Sequence, residues 1–230
     1  MSGRIKQNLA ELEERISEAA RRSGRAADAV KLVAVTKYVD TATTRALVES
    51  GCNLLGENRP QQLWQKADEL ADLDIQWHMI GHLQRNKVRR TIGWTSLIHS
   101  VDSIRLMRAI ANESLGQNLS TDCLLEVNVS GEEAKHGIKP DELTSMLETA
   151  AELQGIRICG LMCMAGLGSD RDQAAREFEA LRELRDQFRD RTAPSIDLQE
   201  LSMGMSGDFE LAIEQGATIV RIGSAIFAGI

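Results

Sequence analysis

Short apolar segments alternate with longer polar segments along most of the chain. Eight apolar runs have the length of a β-strand. They lie at 31–35, 53–55, 75–80, 96–99, 123–129, 156–162, 199–203 and 218–222. Most of the intervals between them carry a polar pattern of helical length. The alternation therefore predicts repeated βα units and a parallel sheet.

Two segments show helical spacing with particular clarity. In the N-terminal segment apolar residues recur every three or four positions from Ile5 to Ala19, and in 170–190 they do so from Ala174 to Phe188. Eight strands at this chain length favour an α/β fold of the closed (β/α)8 type, a TIM barrel, with one extra helix at the N-terminus. We expect a single domain over residues 1–230. An open doubly wound sheet is the alternative.

The composition restricts the classes of function. The chain has 230 residues and a formal net charge of −7, which argues against non-specific nucleic-acid binding and gives no reason to expect attraction to an anionic membrane. The charged N-terminus lacks the apolar segment of a secretory signal, and no apolar run approaches the length of a membrane span. The four cysteines form no CxxC pair. These features predict a cytoplasmic protein with reduced thiols.

Two stretches near the C-terminus have the composition of a phosphate site. "LSMGMSGD" (201–208) follows the seventh apolar run, and "VRIGSA" (220–225) follows the eighth. Each offers glycine and small hydroxyls before a short segment that we predict to be helical, and backbone amides at a helix start can hold a phosphate. Ser206 and Ser224 add hydroxyl groups, and Gly223 allows close approach of the backbone. In TIM barrels a phosphate site commonly lies at these two loops.

Lys37 follows the first apolar run, in "KLVAVTKYVD". In a closed barrel the eighth strand lies beside the first, so Lys37 and the two phosphate-type loops would be neighbours. An amine near a phosphate suggests a Schiff base, either with a sugar-phosphate carbonyl or with pyridoxal phosphate (PLP). Arg221 nearby would disfavour the ammonium form and favour a nucleophilic lysine. The alternative is a strand-end lysine whose amine reaches solvent.

A series of longer motifs occurs in order between residues 34 and 229. They are "AVTKY", "GENR", "WHMIGHLQRNK", "HSVDS", "EVNVSGEEAKHGI", "GLMCMAG", "LSMGMSGDFELAI" and "GATIVRIGSAIFAG". In these motifs the chain resembles the pyridoxal phosphate homeostasis proteins, which are single-domain barrels of PLP fold type III similar to the barrel domain of alanine racemase. The resemblance spans nearly the whole chain, and "LSMGMS" with "VRIGSAIF" is its most specific part.

The resemblance implies a PLP site whose residues can be carried over by position. Lys37 would form the internal aldimine with the cofactor aldehyde, and Arg221 would point toward the pyridine nitrogen. The other implied cofactor-binding residues are Ser206, Gly223 and Ser224 at the phosphate, and Asn58 with Met203 or Ser202 at the ring. Two departures from the family pattern, Arg59-Pro60 and Tyr38-Val39, lie at the rim and leave these positions intact.

The choice between an enzyme and a carrier depends on a second acid/base. A racemase needs one opposite the lysine, and in the barrel racemases it is a tyrosine from an additional domain. The only tyrosine here, Tyr38, adjoins Lys37, and strand alternation would place it on the opposite side. His82 and His99 are the remaining candidates. Arg221 also disfavours protonation of the pyridine nitrogen, which weakens the ring as an electron sink.

We therefore expect a PLP-binding protein without a catalytic residue, monomeric, that holds the cofactor on Lys37. It would release PLP to apo-enzymes as part of intracellular vitamin B6 homeostasis. A PLP-dependent amino-acid racemase of low activity is the alternative, and a lysine-dependent phosphosugar aldolase is a more distant one. No metal site is expected, because the spacing of His78 and His82 aligns two ligands only on a helix and this stretch predicts a strand and a turn.

Overall fold

Eight parallel strands close into a barrel in the computed structural model, which describes residues 1–132, 136–166, 168–190 and 193–230. Each strand pairs with its neighbours along the chain, and β8 pairs with β1. The strands are β1 (Lys31–Val35), β2 (Leu54–Glu57), β3 (Gln76–Met79), β4 (Thr95–Val101), β5 (Thr121–Glu126), β6 (Ile156–Met162), β7 (Ile196–Ser202) and β8 (Ile219–Ile222). The predicted (β/α)8 barrel is thus confirmed.

Helices cover the outside of the barrel. They are α1 (Ser2–Arg22), α2 (Thr41–Glu49), α3 (Pro60–Glu69), α4 (Val88–Thr91), α5 (Ile104–Gly116), α6 (Leu143–Glu152), α7 (Arg171–Phe188) and α8 (Phe209–Glu214), with 3₁₀ turns at Arg85–Lys87 and Pro140–Glu142. The first of them precedes β1, as the sequence predicts. Within the described residues, none of the helices combines the length and the apolar character that crossing a membrane requires.

Local sequence determines where several helices begin. Asp40 precedes α2, and its carboxylate accepts a hydrogen bond of 2.8 Å from the Thr43 amide. Asp170 caps α7 in the same way, at 2.8 Å from the Gln173 amide. Pro60 is the first residue of α3, where its missing N–H costs no hydrogen bond. These caps start α2 and α3 soon after β1 and β2, which keeps the intervening loops short at the carboxyl end of the barrel.

The apolar core lies in two layers, one on each side of the sheet. The larger layer fills the space between strands and helices. The smaller one lies inside the barrel and consists of Val33, Leu97, Leu124, Cys159, Met162 and Ile219. Polar side chains also occupy the interior, among them His99, Ser202 and Arg221, all of which are buried. Because charged and polar groups are costly to bury without partners, this interior points to a functional arrangement.

The extra helix α1 supports the chain that follows β8. It packs against α8 and α2. Asn8 on its buried face donates hydrogen bonds to the carbonyl oxygens of Ile226, at 2.9 Å, and Ala228, at 3.1 Å. The last residues of the chain are thereby held against the barrel, next to the loop that leaves β8.

Candidate functional site

A cavity of about 710 Å³ opens at the carboxyl ends of the strands, which is within the usual size for a small organic cofactor. Six of the eight residues predicted for the site line it, namely Lys37, Asn58, Ser206, Arg221, Gly223 and Ser224. They come from the ends of β1, β2, β7 and β8 and lie far apart in the sequence. Barrel closure brings them together, as expected from the pairing of β8 with β1.

Lys37 lies in a turn directly after β1 and is half-buried in the cavity wall. The Val39 amide donates to the Thr36 carbonyl at 3.1 Å and closes this turn. The Lys37 amine, Nζ, lies 4.8 Å from the centre of the Tyr38 ring. A primary amine is thus held at the cavity with no carboxylate paired to it among the described residues.

A buried ion pair anchors the peptide that precedes Lys37. Lys66 on α3 lies 2.6 Å from a carboxylate oxygen of Glu57, at the end of β2. Lys66 also donates to the Thr36 carbonyl at 2.7 Å, and the Thr36 hydroxyl donates to Glu57 at 2.7 Å. The Thr36 amide donates in turn to Gly56 on β2. Thr36 is therefore fixed through its amide, its carbonyl and its side chain, which places Lys37 on a rigid base.

Arg221 is buried inside the barrel with its guanidinium facing the cavity. One guanidinium nitrogen donates to the Ser202 hydroxyl at 2.5 Å, and another donates to the Cys163 carbonyl at 2.9 Å. Burial lowers the pKa of Arg221, while the nearby acidic groups oppose that shift. The two hydrogen bonds fix the orientation of the cation, so its charge faces one end of the cavity.

Two histidines extend this arrangement away from the cavity. The Ser202 hydroxyl lies 2.9 Å from His99 Nδ1, and His99 Nε2 lies 2.9 Å from His78 Nδ1. Burial lowers the pKa of His78 to about 4 and that of His99 well below its usual value, so both rings are neutral at pH 7. The Ser202 hydroxyl already accepts a hydrogen bond from Arg221, so we infer that it donates its own hydrogen bond to His99 Nδ1. The N–H of neutral His99 is then at Nε2 and donates to His78 Nδ1. The chain of donors holds Arg221 in place.

The loops after β7 and β8 meet at the phosphate-type end of the cavity. The Gly223 amide donates to the Ser206 hydroxyl at 3.3 Å, which joins the two loops. A side chain at Gly223 would lie 3.2 Å from the Val35 carbonyl oxygen, so a glycine lets β8 pass close to β1. The segment after Ser224 forms turns, whereas the sequence predicts a helix there; α8 does follow the loop that contains Ser206.

Two of the predicted site residues do not line the cavity. Met203 is fully buried and packs in the outer apolar layer, so its predicted contact with a ring is wrong. Ser202 is fully buried as well and reaches the site through Arg221. The reason is strand alternation, since Ser202 at the end of β7 faces inward and the next residue must face outward.

The predicted position of Tyr38 is also wrong. Its ring lies beside the Lys37 amine at the cavity mouth and is 88% exposed. Strand alternation does not apply to it, because β1 ends at Val35 and the tyrosine lies in the following turn. Of the two histidines considered as acid/base groups, His82 lines the cavity, whereas His99 is fully buried and contacts Ser202.

Glu126 is a buried acidic group of the cavity that sequence reasoning missed. Glu126, the last residue of β5, is only 4% exposed and lines the cavity together with Arg221. Burial and the negative charge of Asp102 raise the pKa of Glu126 to about 7, against the opposing attraction of Arg221. The available signal was a carboxylate at the carboxyl end of an apolar strand, in "CLLEVN". This group can hold or release a proton at the cavity near neutral pH.

Known proteins of similar sequence match this chain over nearly its full length. The family model described as alanine racemase, N-terminal domain, matches residues 7–229. A protein of Aquifex aeolicus named pyridoxal phosphate homeostasis protein is 41% identical over 221 residues, which cover 96% of each chain.

Solved structures of similar proteins share the same barrel. An unknown protein from Bifidobacterium adolescentis has a TM-score of 0.93 and 36% identity, covering 98% of this chain and 95% of its own. PipY from Synechococcus elongatus, solved with PLP bound, has a TM-score of 0.85 and 34% identity, covering 97% of this chain and all of its own.

Proposed function

This chain belongs to the pyridoxal phosphate homeostasis proteins within the alanine racemase N-terminal-domain family, and from that premise we propose that it binds pyridoxal 5′-phosphate and takes part in vitamin B6 homeostasis. The observation that carries the proposal is the convergence in one cavity of an amine, a buried guanidinium and two glycine-serine loops. The similar protein PipY, solved with PLP bound, supports the same cofactor.

The residues that line the cavity match the chemical groups of PLP. Lys37 offers a primary amine for reversible covalent attachment of the aldehyde. Ser206, Gly223 and Ser224 offer hydroxyl and amide donors for the phosphate, without side-chain bulk. Arg221 would present a donor to the pyridine nitrogen, and Asn58 would contact the ring, since both line the cavity. Ser202 contributes through Arg221, whose orientation it helps to fix.

Bound PLP supplies an electrophilic aldehyde conjugated to an electron-withdrawing ring. The Arg221 guanidinium, fixed by its two hydrogen bonds, would disfavour a proton on the ring nitrogen and so limit how strongly the ring can accept electrons. Glu126 can hold a proton at the same cavity near neutral pH. These residues favour storage of a reactive aldehyde over demanding bond cleavage.

Delivery of the cofactor to apo-enzymes fits the form of the cavity mouth. Tyr38 at the rim is largely exposed, and Lys37 is only half-buried, so the attachment point lies near solvent. Exchange of the cofactor therefore requires no opening of the barrel. The free state of all four cysteines is in keeping with a reducing, cytoplasmic compartment for this exchange.

Reduction with borohydride tests the proposal directly. Wild-type protein loaded with PLP and reduced should carry the cofactor on Lys37, as located by mass spectrometry of peptides, and the Lys37→Ala variant should carry none. Lys31→Ala is the matched control, because Lys31 begins the same strand at the opposite end of the barrel and should not affect labelling. Wild-type protein without label at Lys37 would overturn the proposal.

A second assay separates storage from catalysis. PLP-loaded protein incubated with an apo-enzyme should restore that enzyme's activity as PLP leaves Lys37. The same protein should show no racemisation of a panel of amino acids at an ordinary enzymatic rate, on the order of 10 per second. Racemisation at that rate would favour the enzyme instead.

A further inference from the structure

Three side chains from three consecutive strand ends converge at the cavity mouth. His82 follows β3, Asp102 follows β4, and His136 follows β5. One ligand atom from each lies within 4.8 Å of the others. His82 Nδ1 lies 3.2 Å from an Asp102 oxygen, and the His82 and His136 rings stack with centres 4.6 Å apart. Both histidines line the cavity that contains Lys37.

From this cluster we propose a binding site for a divalent transition metal, with zinc as the ion that best fits the donors. Two imidazoles and one carboxylate match the three protein ligands of zinc sites that leave a fourth position open. The ligand atoms of tetrahedral zinc lie about 3.4 Å from one another. Side-chain movements of about 1 Å would bring the three ligand atoms, now within 4.8 Å of one another, to that separation. The sequence-based expectation of no metal site weighed His82 together with His78. His78 is not part of this cluster, because it lies inside the barrel against His99.

A simple ion pair does not account for all three groups. Asp102 and His82 alone would make such a pair and give no role to the neighbouring His136. The His136 ring instead stacks on His82 and brings a second imidazole nitrogen within 4.8 Å of the same carboxylate, so that one cation can contact all three groups. The Asp102 carboxylate adds the negative charge that such a cation requires.

The backbone beneath the three ligands is held rigidly, as a metal site requires. The Gly81 carbonyl, next to His82, accepts a hydrogen bond of 2.6 Å from the Ser100 hydroxyl on β4. The Ser103 hydroxyl donates to the second oxygen of Asp102 at 3.2 Å.

The third ligand is held at the end of β5. Gly137 follows His136 with a positive φ of 107° and lies against the backbone of Asn128. Ile138 then pairs with Val127 in a parallel bridge. His136 therefore enters from a segment that is bonded to the barrel. Because both histidines line the cavity, the open fourth position of the metal faces it, and water or an oxygen anion would fill that position.

Cobalt titration of the untagged full-length chain tests this site. After chelator treatment, the protein with and without PLP should bind one Co²⁺ and show the visible d–d absorption of a four-coordinate ion, without a thiolate charge-transfer band. Zinc should displace it. The signal comes from the metal alone, so it can succeed or fail independently of cofactor binding.

Single variants locate the ion. His82→Ala and His136→Ala should each weaken Co²⁺ binding by more than about 100-fold, since even an outer-shell change costs up to that much. Asp102→Asn, which keeps the side-chain shape, should weaken it as well. The control variant is Asp68→Asn, which removes an exposed carboxylate on α3 that is paired with Arg90. This variant should bind Co²⁺ as tightly as wild type does. Three results would overturn the proposal. They are the absence of d–d bands, the presence of a thiolate charge-transfer band, and Co²⁺ binding that is unchanged in both histidine variants.

Discussion

Replacing Lys66 by methionine removes the cation from the buried pair beneath Lys37. The amine lies 2.6 Å from a Glu57 oxygen and 2.7 Å from the Thr36 carbonyl. The side chains of Lys66 and Glu57 are 8% and 0% exposed, so water cannot replace the lost partner. Methionine keeps the aliphatic stem but leaves the Glu57 carboxylate buried without a countercharge.

The expected loss of stability is large. Removing one partner of a buried ion pair costs about 3–5 kcal/mol, because the other charge stays desolvated. For a chain of this size each kcal/mol lowers Tm by roughly 2–4 °C, so we expect Lys66→Met to lower Tm by about 10 °C. The turn that carries Lys37 should loosen as well, since Thr36 loses one of its anchors.

Urea and thermal unfolding of four proteins provide the measurement. They are wild type, Lys66→Met, Glu57→Gln and the double variant. The double variant should be more stable than Lys66→Met alone, because a neutral amide removes the buried charge and the pair couples by about 0.5–3 kcal/mol.

Lys31→Met is the matched control for this series. Lys31 forms an exposed pair with Glu200 at 2.6 Å, and such pairs contribute about 0–1 kcal/mol. A loss below about 1 kcal/mol for Lys66→Met, or strictly additive effects of Lys66→Met and Glu57→Gln, would refute the reasoning.

Two further changes test the interior of the site. Ser202→Ala removes a hydrogen bond to the Arg221 guanidinium worth about 1.5–3 kcal/mol, so PLP binding measured by absorbance titration should weaken about tenfold or more. Ser195→Ala, which removes a buried hydroxyl just before the opposite end of β7, should leave the affinity unchanged, and equal affinities of the two variants would contradict this role. Glu126, whose folded pKa is raised from 4.5 to about 7, keeps a proton that the unfolded chain loses, so stability should fall as pH rises through that window. Glu126→Gln should lose this slope and exceed wild type above pH 7 by up to about 3 kcal/mol in urea unfolding, whereas parallel pH profiles would count against it.

The fold could be predicted because it depends on a repeating pattern. Eight apolar runs are separated by intervals that mostly show a helical pattern, so an error in one boundary leaves the architecture unchanged. The sequence pattern, for example, predicts the seventh run at 199–203, whereas β7 begins at Ile196, yet the strand count and order are the same. Parallel strands then place all their carboxyl ends at one face, which is why Lys37 and Arg221 could be expected to meet.

Side-chain direction near the strand ends was less predictable. Alternation assigns Ser202 and Met203 to opposite faces, but the sequence does not say at which residue β7 ends or which face is internal. The rule fails altogether for Tyr38, because the chain turns before reaching it. A local pattern therefore identifies the region of the site but not every residue within it.

The sequence by itself determined the barrel, its order of elements and the loops that carry an amine, a guanidinium and small polar residues. Only the tertiary structure decided which groups act on one another. Hydrogen bonds between residues up to 103 positions apart join four side chains inside the barrel, namely Arg221, Ser202, His99 and His78. Lys66, on a helix outside the barrel, is buried against Glu57. The physical reason is that apolar periodicity depends on neighbours along the chain, whereas the energy of a buried charge depends on a partner that only the packing of strands and helices brings within a few ångströms.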